Sequence, residues 1–139
     1  MNLLYLHPAP VPSSAANAVQ VAKMCSAFGH AGAKVTLGVP LLQARDLAAQ
    51  NVEEVYGLPA PLDIERFPLT RLPAAEFLFA MAALRSTGAD TDLVYTRSIT
   101  ASALAARLGY ATALELHAPA CALRFLQIRR LRWLLHSPK

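Results

Sequence analysis

Cysteine, glycine and charge are all scarce in this chain of 139 residues, and each shortage excludes something. Two cysteines, Cys25 and Cys121, cannot build a disulfide framework or a metal cage, which makes a reducing compartment the default. The six glycines form no Gly-x-Gly-x-x-Gly fingerprint, no Gly-Lys-Ser/Thr phosphate loop and no Gly-x-Ser-x-Gly elbow. Dinucleotide binding, triphosphate hydrolysis and α/β-hydrolase chemistry therefore lack their signatures. No run approaches the roughly 18 consecutive apolar residues of a membrane span. Met1 to Pro12 has no basic segment and meets Pro8 too early for a signal peptide.

What is present is apolar. Hydrophobic residues make up 55% of the chain and charged residues 16%, which excludes a disordered, highly solvated polymer. At this length one domain is expected, with about two-thirds of the unfolded surface buried. The net charge is +4, and its excess is uneven: Arg124, Arg129, Arg130, Arg132 and Lys139 fall in a final stretch without an acid. The remainder is nearly neutral, which argues against a nucleic-acid footprint. The tail is also amphipathic, with Phe125, Leu126, Ile128, Leu131, Leu134 and Leu135 beside the arginines. It fits a core-packing helix, an interface helix whose partner domain is missing, or a weak peripheral contact with the inner membrane face. The expected location is cytoplasmic.

Apolar runs and breakers alternate along the chain. Asn2 to His7 is a short strand stopped by Pro8, Pro10 and Pro12, and Ser13 and Ser14 are candidate caps for the helix that follows. From Ala15, the positions Ala18, Val21, Ala22, Cys25 and Phe28 keep helical spacing until Gly29 and Gly32. Lys34 to Val39 is a second strand, Leu41 to Asn51 a helix, and Leu62 to Phe67 a third strand. Pro73 suits the first turn of a helix carrying Phe77, Ala80, Met81 and Leu84 and ending near Gly88. Asp92 to Thr96 is a strand, Ser98 caps a helix with Ala101, Leu104, Ala105 and Leu108 inward, and Gly109 ends it. Ala111 to His117 is a fifth strand, and a last helix covers about Ala120 to Leu135. This alternation predicts an α/β domain over residues 1–139: a Rossmann-like, doubly wound parallel sheet with helices on both faces. Because such domains usually continue with another strand, the chain is expected to be cut at its C-terminus.

Ligands of open parallel sheets gather at the carboxyl ends of the strands. His7, Arg97 and His117 each stand at such an end, and strand alternation puts Glu115 on the same face as His117. A carboxylate there is costly unless paired or solvated in a cleft, so Glu115 and His117 are the leading candidates for chemistry. The alternative is that His117 caps a helix or bonds a loop carbonyl. The loop of Ser13, Ser14, Ala15, Ala16 and Asn17 precedes a helix whose amides and dipole favour a phosphate or a sugar hydroxyl, or it is ordinary capping. His30 and His136 face solvent, and Cys25 lies on a core face. No Cys/His cluster has metal-ligand spacing.

The series Leu-Leu-Tyr-Leu-His at 3–7, Ser-Ser-Ala-Ala-Asn-Ala-Val-Gln-Val-Ala-Lys-Met at 13–24 and Gly-Ala-Lys-Val-Thr-Leu at 32–37 resembles the N-terminal domain of family 4 glycosyltransferases of the GT-B fold. Leu-Val-Tyr-Thr-Arg at 93–97 and Ala-Thr-Ala-Leu-Glu-Leu-His-Ala-Pro at 111–119 are similar to later strands of that family. The resemblance implies transfer of a sugar from a nucleotide sugar to a sugar or lipid-linked acceptor, with retention and without a metal or other cofactor. It places His117 at the donor sugar near the reacting phosphate; on charge grounds, Glu115 is expected to orient His117 or to carry charge near the sugar. Ser13 to Asn17 fall near the donor diphosphate, and His7 and Arg97 on the acceptor side. The Gly-Gly frequent in the family's first loop is replaced here by Ser and Ala. The donor-binding C-terminal domain would come from residues beyond this chain or from a partner chain. A non-catalytic partner subunit and another GT-B enzyme, such as a nucleotide-sugar epimerase, remain open.

Overall fold

The computed structural model describes residues 1–41, 51–68, 74–87, 90–117, 128–129 and 132–133. Strands and helices alternate as β1 (Asn2–Leu6), α1 (Ala16–His30), β2 (Lys34–Leu41), α2 (Val52–Tyr56), β3 (Asp63–Pro68), α3 (Ala75–Ser86), β4 (Leu93–Thr96), α4 (Ile99–Arg107) and β5 (Thr112–Leu114). Every strand pairing is parallel, in the order β3-β2-β1-β4-β5. This is a Rossmann-like, doubly wound α/β sheet, and its strand order reverses between β1 and β4.

Alternation along β1 creates a core on each face of the sheet. Leu3 and Tyr5 pack with Ala18, Val21, Ala22 and Cys25 of α1 and with Val52 and Tyr56 of α2. Leu4 and Leu6 pack with Phe79, Ala80, Ala83 and Leu84 of α3 and with Ala101, Leu104 and Ala105 of α4. These four β1 side chains are at most 3% exposed. Each contributes roughly 1.5–3 kcal/mol by leaving water. Gly38 of β2 lies against them: a Cβ there would stand 2.9 Å from the Leu6 side chain.

Several sequence expectations need correction. Leu41 does not begin a helix but closes β2, which runs on through Pro40. β1 ends at Leu6 opposite Gly38, so Pro40 has β3 as its one strand neighbour, where a missing N–H is tolerated. The remainder of the helix expected there, 42–50, lies outside the described residues. Asn51 instead caps α2, its side chain accepting from the Glu53 amide at 3.1 Å, and Gly57 closes the helix at φ 60°.

In α3 the inward face is Phe79, Ala80, Ala83 and Leu84, whereas Phe77 is exposed and Met81 half-buried. Residues 77–84 are apolar throughout, so periodicity selects no face there. Packing does, and Phe79 meets Phe67 edge-on at 6.2 Å. Ser98 caps α4 as expected by accepting from the Ala101 amide at 2.9 Å, but Leu108 is 48% exposed. β5 stops at Leu114 rather than His117, followed by one further ladder bond from the Glu115 amide to the Thr96 carbonyl. The N-cap of α1 is Ala15, without a side-chain cap, rather than Ser13 or Ser14. Of the last expected helix, 128–129 and 132–133 are helical and the rest lies outside the described residues, as do Pro73, Gly88 and His136. Among the described residues no helix is long and apolar enough to cross a membrane.

Candidate functional site

Parallel strands all point their carboxyl ends the same way, so the residues after β1, β4 and β5 meet along one edge. A cavity of about 360 Å³ opens there, lined among others by His7, Asn17, Glu76, Arg97, Glu115 and His117. A larger cavity of about 410 Å³ along α3 and α4, lined by Phe77, Arg107 and Trp133 among others, has no carboxylate or histidine among the described residues that line it.

The register of β4 and β5 sets Thr96 beside Leu114, which carries Arg97 alongside Glu115. Arg97 grips the Glu115 carboxylate with two nitrogens, Nε to Oε2 and Nη2 to Oε1, each at 3.0 Å. This two-point geometry is the strong form of the ion pair. His117 Nε2 lies 2.7 Å from Glu115 Oε1, and the Tyr95 hydroxyl donates to Oε2 at 3.3 Å. The guanidinium bonds hold Glu115 below the usual carboxylate range, with further help from the nearby His117 and Tyr95. Burial, then Glu115's charge, pushes the Tyr95 phenol upward. The Arg97 side chain is only 12% exposed, against 51% for His117. Arg97 is thus held mainly by Glu115, with a longer bond of 3.4 Å from Nη1 to the Gln20 side-chain oxygen, and His117 is the most exposed member of the group.

His7 presents the opposite condition. Its backbone amide donates to the Gly38 carbonyl at 3.0 Å, which fixes the residue at the sheet edge. The side chain is 3% exposed, and neither ring nitrogen has a hydrogen-bond partner among the described residues. Such a buried unpaired group costs about 1–3 kcal/mol. Burial, assisted by the charge of Arg97, lowers its pKa to about 4, so the ring is neutral at neutral pH.

Glu76, in the first turn of α3, is a site residue that sequence reasoning missed. Its carboxylate accepts a short hydrogen bond from the Ser98 hydroxyl, and Ser98 Oγ in turn accepts from the Ala101 amide. The signal was available: in a parallel α/β fold every helix begins at the strand-end edge, so a first-turn acid falls near the cleft.

Of the loop expected at a phosphate, only Asn17 lines this cavity. Ser13 is clamped from the far core: its amide donates to the Tyr56 hydroxyl at 2.5 Å, and that hydroxyl donates to the Ser13 carbonyl at 2.8 Å. Ser14, Ala15 and Ala16 are exposed at the start of α1. His30 is exposed as expected. Cys25 is a free thiol whose burial pushes its pKa up to about 12, which makes it unreactive. Among the described residues no cluster of three or more His, Cys, Asp or Glu could hold a metal ion.

Comparison of the chain with family models, curated proteins and solved structures gives no match. The functional reading therefore stands on the geometry of this edge.

Proposed function

We propose that this domain is the acceptor-side half of a retaining glycosyltransferase. It acts on a sugar from a nucleotide-activated donor and a sugar or lipid-linked acceptor, with the nucleotide held by a C-terminal domain or a partner chain. The observation that carries this reading is the convergence of His117, Glu115 and Arg97 at the edge where the strand order reverses. Crevices at such reversal points are where open parallel sheets bind their ligands.

Loss of a nucleoside diphosphate builds negative charge on the phosphate and positive charge on the sugar carbon. His117, with Nε2 donating to Glu115, leaves Nδ1 to accept from a sugar hydroxyl. Glu115 keeps its negative charge near the developing cation, and Arg97 positions Glu115 rather than touching substrate. Of the loop Ser13 to Asn17, Asn17 reaches the cavity, beside an α1 N-terminus that has no side-chain cap and would face the diphosphate. His7 lies on the acceptor side.

The test is His117→Ala in the assembled enzyme, with the donor-binding half present. Turnover falls about 100-fold or more, since the side chain acts on the reacting groups. The exposure of His117 leaves the melting temperature nearly unchanged. Near-normal turnover removes His117 from the reaction and this reading with it.

A further inference from the structure

The cavity along α3 and α4 takes no part in the chemistry assigned to the cleft, and its lining is sorted by charge. We infer that it binds a single-chain amphiphile with one carboxylate head, the head on Arg107 and the alkyl chain along α4. The inference does not rest on the transferase reading.

Thr100, Leu104 and Arg107 line this cavity at helical spacing, so one stripe of α4 forms a wall of it. Phe77, from the first turn of α3, and Arg129 and Trp133, from the helical residues after β5, line it as well. Both α3 and α4 start at the strand-carboxyl edge, which puts Phe77 at the Thr100 end. Arg107, the last residue of α4, lies about 10 Å further along the axis at the usual helical rise. The wall therefore runs from an aromatic ring to a guanidinium. Phe77 is 41% exposed and Trp133 40%, and two large aromatic rings half in water on one cavity are not the scattered apolar residues of an ordinary surface. The volume of about 410 Å³ falls in the range of small-molecule sites.

Charge selects the occupant. No acid is among the described residues that line the cavity, whereas two arginines are. Arg129 has a further interaction within the chain, so Arg107 is the cation assigned to the head. The last-turn carbonyls of α4 accept from the Leu108, Gly109 and Tyr110 amides and do not depend on that guanidinium. A cationic amphiphile is repelled here, and a neutral one leaves the arginines unused. A second copy docked by two-fold symmetry would set these arginines against their own kind. A carboxylate meets a guanidinium at two points and carries the single charge that one arginine matches. Thr100 also lines the cleft cavity, but the lipid of an acceptor held in the cleft would bring its uncharged end to Arg107.

Trp133 is the chain's one tryptophan, so its fluorescence reports on this cavity. Hexanoate, octanoate and decanoate are titrated into the whole chain below micelle formation. Octanol, octyltrimethylammonium and octyl phosphate vary the head, and acetate supplies the head alone. The three carboxylates shift the emission to the blue saturably, and acetate does not. Each added pair of methylenes tightens binding roughly fivefold, since a half-open groove buries only part of each. Arg107→Gln weakens octanoate roughly tenfold and leaves octanol unchanged. Phe77→Ala weakens octanoate and octanol alike. Both side chains are exposed, so neither variant moves the melting temperature much.

The inference is overturned by the absence of a saturable shift with any of the three carboxylates, or by octanoate affinity unchanged in Arg107→Gln. Octanol or octyltrimethylammonium binding as tightly as octanoate overturns the charged head, and tighter binding of octyl phosphate overturns the carboxylate. A response confined to vesicles of anionic phospholipid, with none to monomeric octanoate, overturns it too and makes this face a membrane-docking surface.

Discussion

Two histidines line the same cavity under opposite conditions. His117, beyond β5, is half-exposed and bonded at 2.7 Å to a carboxylate that Arg97 and Tyr95 also hold. His7, at the end of β1, is 3% exposed and bonded to nothing through its ring among the described residues. The β4–β5 side of the cleft is satisfied from within the protein, so its groups are fixed in place before any ligand arrives. The β1 side keeps its hydrogen-bonding capacity unspent at a cost in stability. One side has its polar groups paired, and the other leaves a buried ring without a partner among the described residues.

Acid breaks this contrast most strongly. The folded chain keeps His7 neutral down to about pH 4, whereas the unfolded chain protonates it near its ordinary value of 6.5. The unfolded state binds more protons between those values, so stability is intact above pH 6.5 and falls as pH drops toward 4. The loss is about 3 kcal/mol, measurable by urea unfolding across that range. Glu115, whose pKa is also lowered on folding, adds a loss of the same sign further into acid. His7→Gln removes the first loss and keeps the second; an unchanged acid profile would show that His7 is not held neutral.

The paired side breaks at Arg97. Arg97→Ala leaves the partly buried Glu115 carboxylate without its two-point partner and costs about 2 kcal/mol in urea unfolding. On the proposed function it also displaces His117 and lowers turnover, acting through Glu115. A cost near zero would place the pair among ion pairs that solvent already screens. The smallest effect is expected at Ser98, which joins both sides by capping α4 and bonding Glu76. Ser98→Ala lowers stability by about 1 kcal/mol, the usual value of an N-cap, in a thermal or urea melt.

The strand ends were legible in the sequence because short apolar runs, proline stops and the Ser98 cap are local signals. Those signals placed His7, Arg97, Glu115 and His117 at one edge without any knowledge of the sheet order. What stayed hidden is non-local. Arg97's grip on Glu115 follows from the β4–β5 register, and the Tyr56 clamp on Ser13 joins residues 43 apart. Glu76 reaches the cavity only because α3 starts at that edge. The phase of α3 was unreadable because Phe77 to Leu84 has no polar residue to mark an outside. Asn51 and Gly57 were readable as the cap and stop of α2, but an assumed helix ending at Asn51 concealed them.

The division of labour between this domain and a donor-binding half is the central claim, and isothermal titration of the 139-residue chain tests it directly. The chain is titrated with a methyl glycoside and, separately, with nucleoside diphosphate sugars. The account predicts weak, saturable binding of the glycoside and no strong binding of the nucleotide sugars, because the proposed function assigns the nucleotide site to the other half. Tight nucleotide-sugar binding by this chain alone, with no response to the glycoside, would contradict it.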